Sequence, residues 1–159
     1  MALNNQESKL TISVIIVTYN REGMLTEALS SLTTQLRMPD EVIVVDNNST
    51  DNTREVAKEF TSKLNIRYFF EGIQGTSRAR NTGIKNASGD IIVFLDDDCI
   101  AQNEWLYYLE RPFLRDPSIG IVGGEINACR VKGTLIEDFC IADGMLQVGK
   151  LCPKKEDAA

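Results

Sequence analysis

Three consecutive aspartates, Asp96, Asp97 and Asp98, have the types and spacing most suited to chemistry. Adjacent carboxylates repel one another, by about 1 kcal/mol per pair in water and about 4 kcal/mol at an effective dielectric of 20. A bound cation reverses this repulsion, and oxygen ligands without histidine suit Mg²⁺ or Mn²⁺ together with phosphate oxygens of a substrate. The run therefore predicts a divalent cation that carries a diphosphate. The alternative is that the aspartates only end a buried strand.

The composition excludes several other kinds of site. The 159 residues include no histidine, which excludes Ser-His-Asp and Cys-His nucleophiles, histidine-ligated zinc and histidine bases. The net charge of -6 argues against nucleic acid as a partner, because a nucleic-acid-binding face is basic. The cysteines form no C-x-x-C pair, and no apolar stretch approaches the length of a transmembrane segment. We expect a protein that is cytoplasmic or peripheral to the membrane.

Alternating strands and helices must position the aspartates. Apolar runs rich in β-branched residues predict strands over 11–17, 41–45, 66–70 and 91–95, followed by a short strand over 119–122. Apolar residues at helical spacing predict helices between these strands, the first of them reaching from Leu25 to Leu36, and another helix over 104–114. This order predicts an α/β fold, Rossmann-like, with a mainly parallel sheet and helices on both faces.

A strand order of 3-2-1-4, as in doubly wound sheets, makes strands one and four neighbours and places a ligand crevice at their carboxyl ends. The segment after strand one would then face the aspartates. It offers hydroxyl, amide and guanidinium groups for a base or ribose, from Thr18, Tyr19, Asn20 and Arg21. The segment 46–48, at the end of strand two, would line the adjoining edge. An ordinary polar loop is the alternative interpretation of 18–21.

Two further segments contain binding candidates. Asp46 can accept a hydrogen bond from a nucleobase N–H, or it can form an Asx-turn ahead of a capped helix, and both can hold at once. Arg78 and Arg80 begin the third helix after Gly75, where the helix dipole favours an anion. Because residues two apart do not share a helix face, we expect Arg78 to reach the ligand and give Arg80 less weight. Surface ion pairs are the alternative for both.

Five segments in order, VIIVTYNR, EVIVVDNNSTDNT, GTSRARNTGI, ASGDIIVFLDDD and GIVGGEI, resemble the family 2 glycosyltransferases of the GT-A fold. The resemblance covers approximately 11–126. It implies an inverting transferase that moves a sugar from a nucleotide-diphosphate donor, often a UDP-sugar, to a hydroxyl of a saccharide, a lipid or another acceptor. It also implies Mn²⁺ or Mg²⁺ as cofactor.

The resemblance also implies roles for individual residues. Asp98 would be the main metal ligand, and Asp96 would approach the ribose or the metal. Asp97 occupies the variable position of the family's D-x-D motif and would contribute to binding only. Gly123 and Gly124 would lie under the donor sugar and acceptor, where the lack of side chains permits close approach. The full set of expected nucleotide-sugar-binding residues is Thr18, Tyr19, Asn20, Arg21, Asp46, Asn48, Arg78, Asp96, Asp97, Gly123 and Gly124.

The catalytic base of the family lies further along the chain than any matching carboxylate here. Glu137 and Asp138 are weak candidates, because this acidic pair comes too early and reads more readily as a surface or helix-start pair. We expect 1–10 to be disordered or extended, 11–128 to form the GT-A domain that binds the donor, and 129–159 to be a partial acceptor-side region and tail, cut short. A donor-binding module without full activity is the alternative. A nucleotidyltransferase is disfavoured, because no glycine- and arginine-rich phosphate loop follows strand one.

Overall fold

A parallel sheet of four strands lies at the centre of the structure, a computed structural model that describes residues 10–124 and the backbone of 147–150. The strands are β1 (Ile12–Thr18), β2 (Glu41–Asp46), β3 (Ile66–Phe70) and β4 (Ile91–Phe94). Their order is β3-β2-β1-β4, and all three pairings are parallel. The predicted order is confirmed, and each predicted strand agrees with the observed one to within one residue at either end.

The central position of β1 and β2 follows from side chains that are apolar towards both faces. Every residue of β2 is buried, and so is every residue of β1 except Val17. Burial on both faces explains why these strands lack strict alternation of apolar and polar residues. In β4, by contrast, Ile91 and Val93 are buried whereas Ile92 and Phe94 are exposed. This alternation suits the position of β4 at an edge of the four-stranded sheet.

Helices alternate with the strands along the chain, and helices flank the sheet. They are α1 (Glu22–Leu32), α2 (Thr53–Glu59) with a 3₁₀ turn at Phe60–Ser62, α3 (Thr76–Asn86) and α4 (Trp105–Arg115). The prediction that the first helix reaches Leu36 is wrong, since α1 ends at Leu32 and Leu36 is exposed. Hydroxyl side chains at the end of α1 bond back to carbonyls three residues earlier, as Thr33 does to Ser30 and Thr34 to Ser31. Such bonds compete with a continuing helix.

Close packing of α3 on the sheet depends on Gly83. Its position faces Ile15 of β1, and a Cβ atom added there would lie 2.5 Å from Ile15 Cγ2. Ile15 belongs to a buried cluster with Ile43, Val45 and Ala79. Helix α3 is therefore held against β1 and β2 at van der Waals distance.

The amino-terminal edge of the sheet, opposite the aspartates, is closed by a buried carboxylate. Glu41 is 5% exposed and accepts hydrogen bonds from Ser13 Oγ at 2.5 Å, Ser88 N at 2.6 Å and Arg67 Nη1 at 2.9 Å. Burial raises the pKa of Glu41, but the hydrogen bonds from Ser13, Ser88 and Arg67 outweigh it and lower the pKa to about 2. Glu41 thus joins β1, β2, β3 and the segment after α3 as an ionised group.

The described chain divides into two compact units between Tyr107 and Tyr108. The second unit contains β5 (Ile119–Gly123), which pairs antiparallel with β6 (Gln147–Lys150). The short strand expected over 119–122 is observed, whereas β6 lies in a region for which the sequence predicted no strand. Among the described residues, no helix is both long and apolar enough to cross a membrane.

Substituting Gly83 by alanine tests the contact between α3 and β1. Because the added methyl group meets a buried isoleucine that has no free space, we expect Gly83→Ala to destabilise the protein by roughly 1–3 kcal/mol. Gly23 in α1 is the matched control, since a Cβ there meets nothing within 4 Å. Gly23→Ala should be neutral or stabilising by up to about 1 kcal/mol. Urea unfolding of both variants measures the difference, and equal stabilities would contradict the contact.

The ionised state of Glu41 predicts a specific pH dependence of stability. A folded-state pKa of about 2, below the ordinary value of 4.5, stabilises the fold fully above pH 4.5, and this contribution disappears as the pH falls towards 2. At about 1.36 kcal/mol per pKa unit, the contribution is on the order of 3 kcal/mol. The stability difference between the wild type and Glu41→Gln should therefore shrink between pH 5 and pH 2. Glu59→Gln, at an exposed position of α2, controls for the loss of one carboxylate; a gap that is independent of pH for Glu41→Gln would refute the assignment.

Candidate functional site

The polar residues that follow β1, β2 and β4 lie together at one edge of the sheet. All three strands run parallel with β1 in the middle, so their carboxyl ends are neighbours. The predicted meeting of 18–21 with 96–98 is seen as an ion pair, in which Arg21 Nη1 lies 3.0 Å from Asp97 Oδ1 and 3.3 Å from Asp98 Oδ2. The hydrogen bond and the charge of Asp97 raise the pKa of Arg21 above its usual value.

The three aspartates differ sharply in burial. The side chain of Asp97 is only 7% exposed, whereas those of Asp96 and Asp98 are 60% and 52% exposed. Asp96 also has an arginine partner, since Arg80 Nη2 lies 3.0 Å from Asp96 Oδ1, and the Arg80 guanidinium lies 5.9 Å from the centroid of the Phe94 ring. Arg21 and Arg80 therefore offset part of the repulsion within the run, and only its two outer members face solvent.

The two exposed carboxylates can hold a cation together. Oxygen atoms of Asp96 and Asp98 and the sulfur of Cys99 all lie within 4.8 Å of one another. Burial, followed by the charge of Asp98, raises the pKa of the Cys99 thiol, so sulfur favours its neutral form. The oxygen atoms fit a hard cation such as Mg²⁺ or Mn²⁺, with substrate oxygens completing the ligands. Asp98 and Asp96, the ligands expected from the sequence, both belong to this group of close atoms, and their role as ligands stays a prediction.

The loop after β1 is tied to the loop after β2. Asn20 adopts a left-handed conformation with φ of 51°, its backbone N–H donates to Ser49 Oγ at 2.9 Å, and its Oδ1 accepts from Thr50 N at 2.7 Å. Tyr19 beside it is half exposed. Thr18 is buried, and its Oγ1 is a buried oxygen with no hydrogen-bond partner among the described residues. A buried hydroxyl without a partner costs free energy unless a ligand or water satisfies it.

Asp46 is buried at the end of β2 and held at both oxygens. Oδ1 accepts from Ser49 N at 2.7 Å, which is the Asx-turn considered from the sequence, and Oδ2 accepts from Tyr68 OH at 2.5 Å. Burial and the neighbouring Asp46 raise the pKa of Tyr68, so its hydroxyl remains a donor. Each carboxylate oxygen has a second lone pair. Each oxygen of Asp46 can therefore accept one further hydrogen bond in a fixed orientation.

Asn47 connects β2 to the loop that precedes α3, a role the sequence did not reveal. Its Nδ2 donates to Glu71 O at 3.3 Å and Ile73 O at 3.1 Å, and its Oδ1 accepts from Gly75 N at 2.8 Å. Gly75 has a φ of 147°, which strains any residue with a side chain. An Asn-Asn pair at a strand end is the signal in the sequence, but it does not say which asparagine is buried.

One carboxylate bonds to the first turns of two helices. Asp51 Oδ2 accepts from Glu22 N of α1 at 3.0 Å, and Oδ1 accepts from Thr53 N of α2 at 3.1 Å and Thr53 Oγ1 at 2.6 Å. In return, Glu22 Oε2 accepts from Asn52 N at 2.7 Å. Although burial raises the pKa of Asp51, the hydrogen bonds from Thr53 and Glu22 lower it below the usual value. Asp51 therefore joins the starts of α1 and α2.

The other expected residues are placed as follows. Arg78 lies exposed in the first turn of α3, and Asn48 is exposed with a φ of 71°. Arg80, the arginine given less weight from the sequence, is the one that contacts an aspartate of the run. Gly123 ends β5 and Gly124 follows it, both in the second unit. Glu137 and Asp138 lie outside the described residues.

Comparison with known proteins identifies the family. The model of the family described as Glycosyl transferase family 2 matches residues 13–135. The chain belongs to this family. The GT-A fold expected from the sequence is confirmed by solved structures of the same architecture, and the described sheet corresponds to the amino-terminal, nucleotide-sugar-binding part of such enzymes.

Similar proteins come from several different organisms. The chain is 38% identical to the glycosyltransferase AglE of Haloferax volcanii over 121 residues, which is 72% of this chain and 39% of that protein. It is similar to S. aureus TarS 1-349 in complex with UDP-GlcNAc, with 29% identity and a TM-score of 0.67 over 81% of this chain and 39% of that chain. It is also similar to the mannosyltransferase PcManGT of Pyrobaculum calidifontis in complex with GDP-Man and Mn²⁺, with 29% identity and a TM-score of 0.64 over 70% of this chain and 34% of that chain. The chain thus spans about two fifths of the length of these relatives.

Removing the Asn47 side chain tests how the loop before α3 is held. Asn47→Ala deletes three hydrogen bonds, and we expect it to lower stability by roughly 1–3 kcal/mol and to speed amide exchange at Gly75. Asn48→Gly is the matched control, because glycine accepts the positive φ of this exposed position, and its stability should stay within about 0.5 kcal/mol of the wild type. Unchanged exchange at Gly75 in Asn47→Ala would show that the contact does not hold the loop.

Proposed function

We propose that the chain is the donor-binding part of an inverting glycosyltransferase, which transfers a sugar from a nucleotide-diphosphate donor to an acceptor hydroxyl with Mn²⁺ or Mg²⁺. The observation that carries the proposal is the pair of exposed carboxylates, Asp96 and Asp98, at the crevice between β4 and β1. Their oxygen atoms are close enough to share one cation. A relative of the same fold is described in complex with GDP-Man and Mn²⁺, which supports a metal of this kind.

The nucleoside would lie against the ends of β1 and β2. Asp46 is fixed in orientation by Ser49 and Tyr68, so it suits a nucleobase N–H. Each Asp46 oxygen keeps one accepting position, which the imino N–H of uracil can fill, and the similarity to a structure in complex with UDP-GlcNAc supports our proposal of a UDP-sugar as donor. Thr18 supplies a buried hydroxyl that a ligand could satisfy, and Tyr19 supplies an exposed ring beside it. Asn20, Asn48 and Arg78 would complete the nucleoside contacts.

The proposed sugar transfer requires stabilisation of the negative charge on the departing diphosphate. Asp98 and Asp96 would hold a divalent cation, which when bound would supply positive charge for the departing diphosphate. Asp97 is buried and engaged by Arg21, so it would support the loop rather than bind the cation. Gly123 and Gly124 would give the donor sugar and acceptor room to approach. Glu137 and Asp138 stay weak candidates for the base that deprotonates the acceptor, which we propose to be a saccharide, a lipid or another hydroxyl compound.

Removing one metal ligand tests the proposal. We expect UDP with Mn²⁺ to raise the melting temperature of the wild type, and Asp98→Asn to weaken UDP-Mn²⁺ binding at least roughly tenfold, which is about 1.4 kcal/mol. Glu59→Gln removes one exposed carboxylate from α2 and should leave the binding unchanged. Thermal shift with UDP, GDP and their sugars, with and without Mn²⁺, gives the measurement.

Several outcomes of this panel are informative. Preference for GDP over UDP would overturn the proposed nucleotide, and no shift with any nucleotide and Mn²⁺ would overturn the function itself. Binding of UDP-Mn²⁺ without sugar transfer or hydrolysis would favour a donor-binding module over a complete enzyme.

A further inference from the structure

Arg21 contacts Asp98, one of the two carboxylates proposed to bind the divalent cation. Its Nη1 atom bridges the buried Asp97, at 3.0 Å, and the exposed Asp98, at 3.3 Å. The two contacts differ in the burial of the acceptor, since the Asp97 side chain is 7% exposed and the Asp98 side chain is 52% exposed, and the contact with Asp98 is also the longer one. An exposed ion pair contributes about 0–1 kcal/mol, so breaking the contact with Asp98 costs little, whereas leaving Asp97 would strand a buried carboxylate without its partner.

A divalent cation and the guanidinium compete for the same carboxylate. Asp98 Oδ2 accepts from Arg21, and Asp98 is also one of the two carboxylates whose oxygens can share a metal ion. The positive charge of the Arg21 guanidinium repels an incoming divalent cation. Arg21 must also release Asp98 Oδ2 before both oxygens of Asp98 are free to bind that cation. Arg21 therefore lowers the affinity of the free protein for metal.

The same side chain can serve the donor once it is released. The Arg21 side chain is 49% exposed, and a guanidinium has five N–H donors. The hydrogen bonds to Asp97 and Asp98 both come from Nη1. Arginine binds phosphate oxygens strongly through charge-assisted hydrogen bonds. The overall charge of the chain is -6, so the diphosphate of a donor needs local positive groups of this kind.

We propose that Arg21 is a resident counter-cation of the aspartate run: it holds Asp98 until a divalent cation takes its place, and then donates to the donor's diphosphate while it stays on Asp97. This inference rests on the proposed function, because it requires both the metal and a nucleoside diphosphate. Its consequence is that Arg21 makes metal binding and nucleotide binding favour each other.

The proposed exchange of Arg21 for a divalent cation on Asp98 is tested by measuring Mn²⁺ binding to the full chain. Titration calorimetry, or the electron paramagnetic resonance signal of free Mn²⁺, gives the affinity. Without nucleotide, Arg21→Gln should bind Mn²⁺ roughly 3–10-fold more tightly than the wild type, because the competing charge is gone. With saturating UDP, the same variant should bind Mn²⁺ roughly 3–10-fold more weakly, because the contact with the diphosphate is lost. The opposite signs distinguish exchange from a purely structural role.

Two control variants make the test independent of net charge and of folding. Lys85→Gln removes one positive charge near the other end of α3 and should leave both affinities within twofold of the wild type. The double variant Arg21→Gln/Asp97→Asn keeps the local net charge and removes the buried unpaired carboxylate that Arg21→Gln alone would leave. It should still bind Mn²⁺ more tightly than the wild type without UDP and lose the coupling to UDP.

The failures of the two proposals are separable. If the wild type binds no Mn²⁺ even with UDP, the proposed function fails. If the wild type binds both, but Arg21→Gln weakens Mn²⁺ equally with and without UDP, only the exchange is refuted. A double variant that behaves as the wild type in both conditions also refutes the exchange, because the effect of Arg21 would then be net charge alone.

Discussion

Mutual repulsion of three adjacent carboxylates is the constraint around which this edge of the sheet is built. The chain relieves it by burying Asp97 against Arg21 and by giving Asp96 an arginine of its own from α3. These partners come from different elements, the loop after β1 and the first half of α3. The order of the strands therefore matters electrostatically as well as sterically, since only a sheet with β1 beside β4 brings Arg21 to the aspartates.

The two edges of the sheet use carboxylates in opposite ways. Glu41, at the amino-terminal edge, is buried and accepts hydrogen bonds from Ser13, Ser88 and Arg67, so it has little capacity left for a ligand. Asp96 and Asp98, at the carboxyl edge, keep exposed oxygens. Satisfied hydrogen bonds make one edge a rigid support, and incomplete ones make the other edge available for a metal and a diphosphate.

Much of the fold was predictable because burial on both faces produces long apolar runs with few alternatives. The four strands of the sheet followed from these runs, and their order was expected from the precedent of doubly wound sheets. The end of α1 did not follow, because the apolar stripe continued to Leu36 while the hydroxyl residues before it bonded back to the backbone. Periodicity alone does not weigh one effect against the other.

The candidate site was predictable in its members more than in their contacts. That Asp46 and the aspartates would lie on the same edge follows from where the strands end. The partner with which each side chain forms a hydrogen bond or ion pair depends on the rotation of the helices about their axes and on differences of a few ångströms between side-chain positions. For this reason the contact of Arg80 with Asp96, and the burial of Asn47 rather than Asn48, had no readable signal in the sequence.

The single carboxylate of Asp51, shared by the first turns of α1 and α2, has a mechanical consequence. Fraying at the start of either helix gives up one bond to this shared side chain, so the starts of α1 and α2 are linked through Asp51. The loops after β1 and β2, which precede these helices, are joined by this link as well as by Asn20, so we expect a ligand that orders one loop to order the other.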